Sequence, residues 1–356
     1  MITIHSDHDW IKPYTPNLFK VRHCGQVSDF STGSIAAVSF YHHPENITDI
    51  IASLSDRYRH AIIYVCEPWP GFDWLGPIID NSPGNVMFLS DIVGDEQQPA
   101  THRYVGNWFM THNNLYNRSR YCQQRLSELR DDLDHKPYRF DALLGVVRPH
   151  RVLVHELWQQ SKYKDEIFLT FHGPDAEHGI WHDPHVIEPT DWGQDNPDPS
   201  MLKCTPWTYV GHDDGQGDKI GTQNIVPVQI YNDTWFSLIT EGYISDMGTR
   251  LTEKIAKAFV AKRFFVYFGA HKDLARMTRL GFQTFGNIVD ESYDNIQDDT
   301  HRWRAAWQVV EWVCQQDPLE LYRATESVRL HNQQVFLHTD WYASLRQHMR
   351  EICTKY

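Results

Sequence analysis

The sequence lacks an apolar run of about 20 residues, the length that a helix needs to cross a bilayer. Its first ten residues, MITIHSDHDW, contain no basic segment followed by an apolar stretch, so we expect no signal peptide. The six cysteines are scattered and form no CxxC pair, which favours free thiols over a disulfide framework or a zinc knuckle. Together these absences predict a cytoplasmic protein without a membrane-spanning segment.

Positive charge is also scarce in this chain. Lysine and arginine total 33 against 46 aspartates and glutamates, which gives a formal net charge of -13 at pH 7. Such an acidic chain is a poor non-specific binder of nucleic acid or anionic membranes. Glycine-rich phosphate loops are missing too, because the chain contains no GxxxxGKS or GxxxxGKT and no GxGxxG between a predicted strand and a predicted helix.

What the chain does contain is an alternation of strand and helix patterns. Continuous apolar runs such as HAIIYVCE (60–67) are typical of strands buried in a parallel sheet. The patterns predict strands at 35–40, 60–67, 85–91, 105–110, 139–147, 165–171, 234–240 and 263–269. They predict helices at 47–58, 118–133, 148–161, 253–262, 271–281, 298–314, 318–329 and 340–352. Residues 173–224, rich in Gly, Pro, Asp and His, are predicted to form a long loop region.

The alternation restarts near 135–147, and the length of 356 residues suits two domains of about 150 residues each. We therefore predict an α/β fold of two doubly wound units. The expected divisions are an N-terminal domain over 1–135, a second domain over 136–335, and a C-terminal helix over 336–356 that packs back on the first domain. Ligands bind at the carboxyl ends of strands in such sheets, so the expected site is the cleft between two facing units.

The segment RLTEKIAKAF (250–259) reads as a helix start with an unfavourable lysine. Thr252 is a good N-cap residue, and Glu253 in the first turn complements the helix dipole. Lys254 adds a cation to the positive end of the helix, which is favourable when an anion such as a diphosphate occupies that end. An ordinary capped helix with a snorkelling lysine explains the same residues, so both interpretations stay open.

The segment GVVRPHRVLVHEL (145–157) places basic residues where a predicted strand turns into a helix. Pro149 presets the turn, and Arg148, His150 and Arg151 surround it. Arginines at the carboxyl end of a strand suit a phosphate group. The alternative is a solvated basic turn.

Glu67 ends the predicted strand of IIYVCEPWPGFDW (62–74) and is followed by Trp69. A carboxylate at the edge of a parallel sheet, beside an aromatic ring, is partly desolvated, and burial raises its pKa. Glu67 is therefore a candidate general base. A helix-capping or salt-bridged glutamate is the alternative.

A histidine-rich segment, HGIWHDPH (178–185), offers ligands that a divalent metal could use. The segment lies in the predicted loop region and contains Pro184, so it lacks the geometry of a helix that presents two histidines on one face. We therefore predict that the protein binds no metal.

Several of these segments, in this order, resemble the α-1,3-fucosyltransferase family. Its signature is a strand reading F-x-L-x-F-E-N, then Y-V-T-E-K and an apolar strand that ends in glycine. The matching stretches here are FSLITEG (236–242), RLTEKI (250–255) and FFVYFG (264–269). RPHRVLVHELW (148–158) is similar to the arginine-bearing helix start of these enzymes, and YVCEPWPGFD (64–73) to their acceptor-domain glutamate segment. LGFQTFGNIVDESYD (280–294) is similar to a group of viral and bacterial glycosyltransferase-like proteins.

The resemblance implies an inverting, metal-independent glycosyltransferase of the GT-B architecture, in which two Rossmann-like domains face a central cleft. It implies an acceptor-binding first domain and a donor-binding second domain. The co-substrate would be a nucleotide-diphosphate sugar, the acceptor a glycan or similar hydroxyl, and no cofactor would be needed. In this frame Glu67 is the general base, Lys254 and Arg151 hold the diphosphate, Glu253 binds the ribose hydroxyls, Glu241 faces the sugar, and Arg148 and Arg250 complete the donor-binding set.

Two departures from the family pattern lie close to the expected donor. Gly242 stands where the family has asparagine, and Arg250 stands in the place of an aromatic residue. Because of these two departures, the resemblance does not identify the nucleotide or the sugar of the donor. The alternative functions are a glycosyltransferase that acts on a modified nucleic-acid base, and a non-catalytic nucleotide- or metal-binding module.

Overall fold

The structure of the chain is a computed structural model. It describes residues 2–6, 19–23, 33–40, 47–65, 75–90, 92–93, 102–104, 113, 116–117, 119–130, 136–145, 148–171, 209–213, 219–221, 225–242, 249–341 and 343. The chain divides into two compact units. The first unit comprises Met1–Met110, Met247–Arg250 and Asp340–Tyr356, and the second comprises Thr111–Asp246 and Leu251–Thr339.

The first unit contains a parallel sheet of six strands. Its elements are β1 (Ile2–Ser6), β2 (Phe19–His23), β3 (Gly33–Phe40), α1 (Ile47–Arg57), β4 (Tyr58–Val65), α2 (Leu75–Asp80), β5 (Val86–Ser90), β6 (Ile92–Val93) and β7 (His102–Tyr104). The strand order is β2-β1-β3-β4-β5-β7, and every pair in it is parallel. The order reverses between β1 and β3, as in doubly wound sheets. β6 stands apart from this sheet and pairs antiparallel with a short strand from later in the chain.

Packing of the first unit follows its apolar periodicity. Helix α1 buries Ile47, Ile51 and Leu54, which are spaced by four and three residues and share one face. Strand β4 buries three consecutive side chains, Ala61 to Ile63, as expected for a strand covered on both faces. The amide of Asn85 donates to the carbonyls of Ser55 (3.0 Å) and Tyr58 (3.1 Å), which joins the end of α1 to the turn before β5.

The second unit is built around a four-stranded parallel sheet flanked by helices. Its strands are β8 (Tyr138–Leu143), β9 (Ile167–Thr170), β10 (Tyr209–Asp213), β11 (Lys219–Gly221), β12 (Thr234–Thr240) and β14 (Phe265–Phe268). The short strand β13 (Thr249–Arg250) belongs to the first unit and is the partner of β6. Its helices are α3 (Arg120–Ser127), α4 (Pro149–Gln160), α5 (Val228–Asp233), α6 (Glu253–Val260), α7 (Asp273–Arg279), α8 (Asp299–Cys314), α9 (Pro318–Ala324) and α10 (Glu326–His338). The parallel sheet has the order β14-β12-β8-β9, and β10 and β11 form an antiparallel pair.

Aromatic side chains fill the core of the second unit. All seven residues of β12 are buried. Phe236 in this strand contacts Phe140 and Phe264 edge-on, with ring centroids 5.7 Å and 5.1 Å apart. On α6, Phe259 stacks on Phe282 at 4.1 Å. This dense packing fixes the sheet on which the candidate site is built.

A buried ion pair ties β8 to β12 and to the turn between α6 and β14. Arg263 donates to the carboxylate of Asp141 at 2.9 Å, and the two side chains are 5% and 2% exposed. Ser237 and Thr234 also donate to Asp141, at 2.8 Å and 3.2 Å. Burial raises the pKa of Asp141, and the charge of Arg263 and these hydrogen bonds oppose that shift. The sequence patterns gave no indication of this pair, because its members are 122 residues apart.

The structure confirms an α/β fold with parallel sheets and most of the predicted elements that it describes. The structure also corrects several of the predictions. Part of the predicted loop region 173–224 forms β10 and β11. The predicted helix 318–329 is two helices, with Thr325 between α9 and α10, and the Thr325 hydroxyl donates to the carbonyl of Leu321. Strands β1, β2, β6, β7 and β13 and helices α2 and α5 were not predicted, and α10 continues to His338, beyond the predicted helix end at 329.

The structure does not test the remaining sequence predictions. The predicted strand 105–110 lies outside the described residues, as does most of the predicted helix 340–352. The domain divisions near 135 and 336 stay predictions. Within the ranges given above, every helix is too short or too polar to cross a membrane.

Candidate functional site

The candidate site lies where the strand order of the second unit reverses. The chain runs from β8 through α4 to β9 on one side, and β12 and β14 lie on the other side of β8. The carboxyl ends of β8 and β12 are therefore neighbours, with Ala142 paired to Leu238. Ligands of open α/β sheets bind in the crevice at such a reversal.

Helix α4 begins directly after β8 with a basic turn. Arg148 has an extended backbone (φ -148°, ψ 152°), and Pro149 is the first helical residue, where its missing N–H costs no hydrogen bond. Gly145 in the preceding turn has a φ of +65°. A Cβ at that position would lie 3.3 Å from Nη1 of Arg151, so a side chain there would strain both the backbone and the arginine.

The basic side chains of this turn all reach the end of β12. Arg148 Nε donates to the carbonyl of Gly242 at 3.2 Å. His150 Nε2 lies 2.8 Å from the carbonyl of Glu241, which can only accept, so this nitrogen carries the proton. Arg151 Nη2 donates to the same carbonyl at 3.0 Å and to that of Thr240 at 3.3 Å. The start of α4 is thus bound to the three residues that end β12 and follow it.

Burial controls the charges of these side chains. His150 and Arg151 are each 2% exposed. Burial, followed by the charge of Arg151, lowers the pKa of His150 well below its ordinary value, so the imidazole is neutral. Burial, followed by the charge of Arg148, lowers the pKa of Arg151 to about 10, so the guanidinium stays charged at neutral pH.

The carboxylate of Glu241 faces inward and holds the start of α6. It accepts from the hydroxyl of Thr252, from the Thr252 N–H at 3.3 Å and from the Gly242 N–H at 3.2 Å. The residue is 1% exposed, and burial raises its pKa against the opposing charge of Lys254. Glu241 therefore positions the two elements on either side of the site, and its predicted contact with a sugar stays a prediction.

The start of α6 has the geometry that the Thr-Glu-Lys pattern predicts. Thr252 is the N-cap, and its hydroxyl accepts from the Lys254 N–H at 3.4 Å. Lys254 Nζ lies 2.5 Å from Oε1 of Glu253, and these side chains are 21% and 15% exposed. The same Nζ lies 3.9 Å from the point where a Cβ on Gly242 would be. Lys254 is therefore beside the peptide whose carbonyl binds Arg148.

Three predicted cations thus come together around Glu241 and Gly242. We call Arg148, Arg151 and Lys254 the cation cluster. Helices α4 and α6 both begin beside this cluster, and each contributes the positive end of its helix dipole. Charge and dipole together make this edge of the sheet suited to an anion.

Sequence reasoning missed one further cation, Lys257. Burial lowers its pKa to about 8, the charge of Glu253 opposes that shift, and the charge of Lys254 adds to it. Lys257 lies three residues after Lys254 and four after Glu253, so it shares their helix face. This spacing was the signal in the sequence that could have revealed it.

The roles of the other predicted site residues stay predictions. Arg250 belongs to the first unit, where it pairs with Ile92 in the β13–β6 ribbon, and its role in donor binding stays a prediction. Glu67 and the histidine-rich segment 178–185 lie outside the described residues. In the described part of the chain, no group of three or more His, Cys, Asp or Glu side chains is arranged to hold a metal ion.

The fold and site together define a parallel α/β protein with basic side chains gathered at the reversal point of its second sheet. A scan of the chain against protein-family models finds no match. A search of curated proteins also finds no match.

Proposed function

We propose that this protein is a nucleotide-sugar-dependent glycosyltransferase of the GT-B type, and that its second unit binds the donor. The observation that carries the proposal is the meeting of the cation cluster with the N-termini of α4 and α6 at one edge of a parallel sheet. The resemblance of the segments around Arg151, Glu241 and Lys254 to α-1,3-fucosyltransferases supports the same donor chemistry.

The diphosphate of the donor would bind at the cation cluster. Transfer breaks the bond between the anomeric carbon and the diphosphate oxygen, and the diphosphate leaves with the electron pair. Fixed cations and helix N–H groups stabilise the charge that develops on this leaving group. In the proposed reaction the arginines and the lysine take the part that a divalent metal plays in other transferases.

The acceptor half of the reaction is proposed from the resemblance. Glu67 takes the proton of the acceptor hydroxyl while the acceptor oxygen forms its bond to the anomeric carbon. Attack on the face opposite the leaving group inverts that carbon. Gly242 and Arg250 depart from the family pattern, so the proposal names the class of donor and not its sugar.

Donor binding is tested by calorimetric titration with adenosine, cytidine, guanosine and uridine diphosphates in the presence of a metal chelator. We expect at least one of these nucleotides to bind the wild type. Lys254→Ala should weaken that binding about 10- to 100-fold, because it removes one charge-assisted hydrogen bond to the diphosphate. Lys164→Ala is the matched control, because Lys164 is exposed beyond the far end of α4. Failure of all four nucleotides to bind, or normal binding by Lys254→Ala, would contradict the proposed donor site.

Catalysis is tested separately from binding. A panel of nucleotide sugars is first screened by thermal shift, since a donor that binds the folded state raises the melting temperature. The best donor is then assayed for transfer to glycan acceptors. Glu67→Gln should keep donor binding and lose transfer. Donor binding without any transfer by the wild type would favour a non-catalytic nucleotide-binding module, and normal transfer by Glu67→Gln would remove Glu67 as the base.

A further inference from the structure

His150 lies beside the cation cluster but carries no charge of its own. The residue is 2% exposed. The charges of Arg151 and Arg148 on α4 and of Lys254 on α6 all act on its ring and, together with burial, keep the imidazole neutral. A proton on this ring would therefore add a fourth positive charge to the site.

The fold fixes one nitrogen of this ring and leaves the other its lone pair. Nε2 donates to the carbonyl of Glu241 at 2.8 Å, and Arg151 donates to the same carbonyl at 3.0 Å. Because the proton of the neutral ring is on Nε2, Nδ1 can only accept. Among the described residues, the structure shows no hydrogen bond to Nδ1 of His150. Protonation of Nδ1 keeps the bond from Nε2, so the ring can gain a charge while its hydrogen bond to β12 stays in place.

The other elements around the ring offer it no counter-ion. On α8, the ring of Trp303 lies 5.6 Å from that of His150, centroid to centroid. The adjacent cation of α8, Arg302, donates to backbone carbonyls. The carboxylate of Glu241 accepts from Thr252. Within the described chain no carboxylate pairs with His150, so a charge on the ring needs an anion from outside the protein.

We propose that His150 takes up a proton when the diphosphate of the donor binds, and that it then acts as a fourth cation of the site. The inference rests on the proposed function, since the anion is the one that the cation cluster is proposed to bind. The bound diphosphate offsets the charges of Arg148, Arg151 and Lys254, and this weakens the repulsion that opposes a charged ring. The proton comes from the solvent and adds to Nδ1. During transfer, the imidazolium stabilises the charge that develops on the leaving diphosphate.

Proton uptake makes donor affinity depend on pH. Binding raises the pKa of His150 above its low value in the free protein, so affinity increases as the pH falls through the pKa of the complex. Glu241, whose pKa is raised by burial, loses its negative charge in the same direction and contributes a similar trend. Lys257, with a pKa of about 8, acts at higher pH. The difference between the wild type and a His150 variant isolates the histidine.

The test measures the protons taken up for each donor bound, by calorimetric titration in buffers of different ionisation enthalpy, from about pH 8 to pH 5. The probe is the nucleotide sugar that raises the wild-type melting temperature most, since its diphosphate diester does not titrate in this range. His150→Gln keeps an N–H donor for the carbonyl of Glu241 and cannot take up a proton. Over this range we expect the wild type to gain about tenfold more affinity than this variant, with matching proton uptake.

His331→Gln is the matched control, because Nε2 of His331 on α10 also lies within hydrogen-bond distance of a backbone carbonyl, 2.9 Å from that of Gly281. It should behave like the wild type. Equal proton uptake by the wild type and folded His150→Gln would overturn the inference and leave the donor site standing. If no nucleotide sugar binds the wild type, the donor site is wrong and the inference with it.

A second measurement decides the question if His150→Gln does not fold. In ¹⁵N spectra of wild type with labelled histidines, His150 is identified by an Nε2 proton that exchanges slowly, because the ring is buried and bound to a carbonyl. Addition of the nucleotide sugar should change Nδ1 of this ring from the unprotonated to the protonated signal. An unchanged Nδ1 signal in the bound protein would overturn the inference.

Discussion

Arg151 and Lys254 have the same predicted role at the diphosphate, but the structure predicts a large loss of stability when Arg151 is removed and a small change when Lys254 is removed. Arg151 is 2% exposed and donates to the carbonyls of Glu241 at 3.0 Å and Thr240 at 3.3 Å. Hydrogen bonds from charged donors contribute about 1.5–3 kcal/mol each, and the longer of these two is weaker. We therefore expect Arg151→Ala to lower the free energy of unfolding by about 3 kcal/mol, with a further loss from the cavity that it leaves.

Lys254→Ala should change the free energy of unfolding by less than about 1 kcal/mol. Its side chain is 21% exposed, and its ion pair with Glu253 is of a kind that contributes about 0–1 kcal/mol. Both variants should still lose nucleotide diphosphate affinity. Loss of affinity in Arg151→Ala must therefore be measured under conditions where that variant is shown to be folded.

Urea unfolding followed by circular dichroism measures the difference. For a unit of this size m is about 2–3 kcal/mol/M, so 3 kcal/mol shifts the midpoint by about 1 M. Arg151→Met separates the cavity from the hydrogen bonds, because methionine restores volume without a donor. Arg304→Ala is the matched control, since Arg304 is exposed on α8. A wild-type midpoint for Arg151→Ala would refute the reasoning, because the buried contacts would then contribute nothing.

Two further predictions concern the charges beneath the site. Asp141→Ala leaves the guanidinium of Arg263 buried without its counter-ion and should lower the free energy of unfolding by about 3–5 kcal/mol, measured by urea unfolding. The double variant Asp141→Leu with Arg263→Met should recover part of this loss. An unchanged free energy of unfolding in Asp141→Ala would contradict this prediction. The pKa of Lys257 is lowered to about 8, so its ammonium loses its proton as the pH rises through 8, and nucleotide diphosphate affinity should fall from pH 7 to pH 9. Lys257→Arg stays charged and should flatten this dependence, and an equally steep fall in that variant would assign the titration to another group.

The fold class was predictable because its signals are local. The apolar runs of β4 and β12 and the spacing of Ile47, Ile51 and Leu54 each indicate one element and its buried face. Strands β1 and β2 were missed because their sequences, ITIHS and FKVRH, mix polar residues into short segments. The division of 318–329 into two helices was missed because it occurs at Thr325, where no glycine or proline marks a helix end.

The candidate site was partly predictable for the same reason. The Thr-Glu-Lys pattern indicated the N-cap at Thr252 and the lysine at the helix start, and both lie where the pattern puts them. The spacing of Lys257 from Glu253 and Lys254 was visible in the sequence, but its lowered pKa was not, because that shift results from burial, which the charge of Glu253 opposes and which depends on how α6 packs on the sheet. The predicted contact of Glu241 with a sugar stays a prediction, and its hydrogen bonds to the hydroxyl and N–H of Thr252 were not indicated by the sequence pattern.

The sequence by itself determined many of the strands and helices, where α4 and α6 begin, and which residues are candidates to bind a phosphate. The tertiary structure decided which of those residues meet. His150 and Glu241 are 91 residues apart in the chain and 2.8 Å apart in the fold. Their contact exists because β12 lies beside β8, and strand order results from the packing of the whole sheet. Capping and periodicity act over a few residues, whereas burial, pKa shifts and ion pairing depend on neighbours that the fold alone supplies.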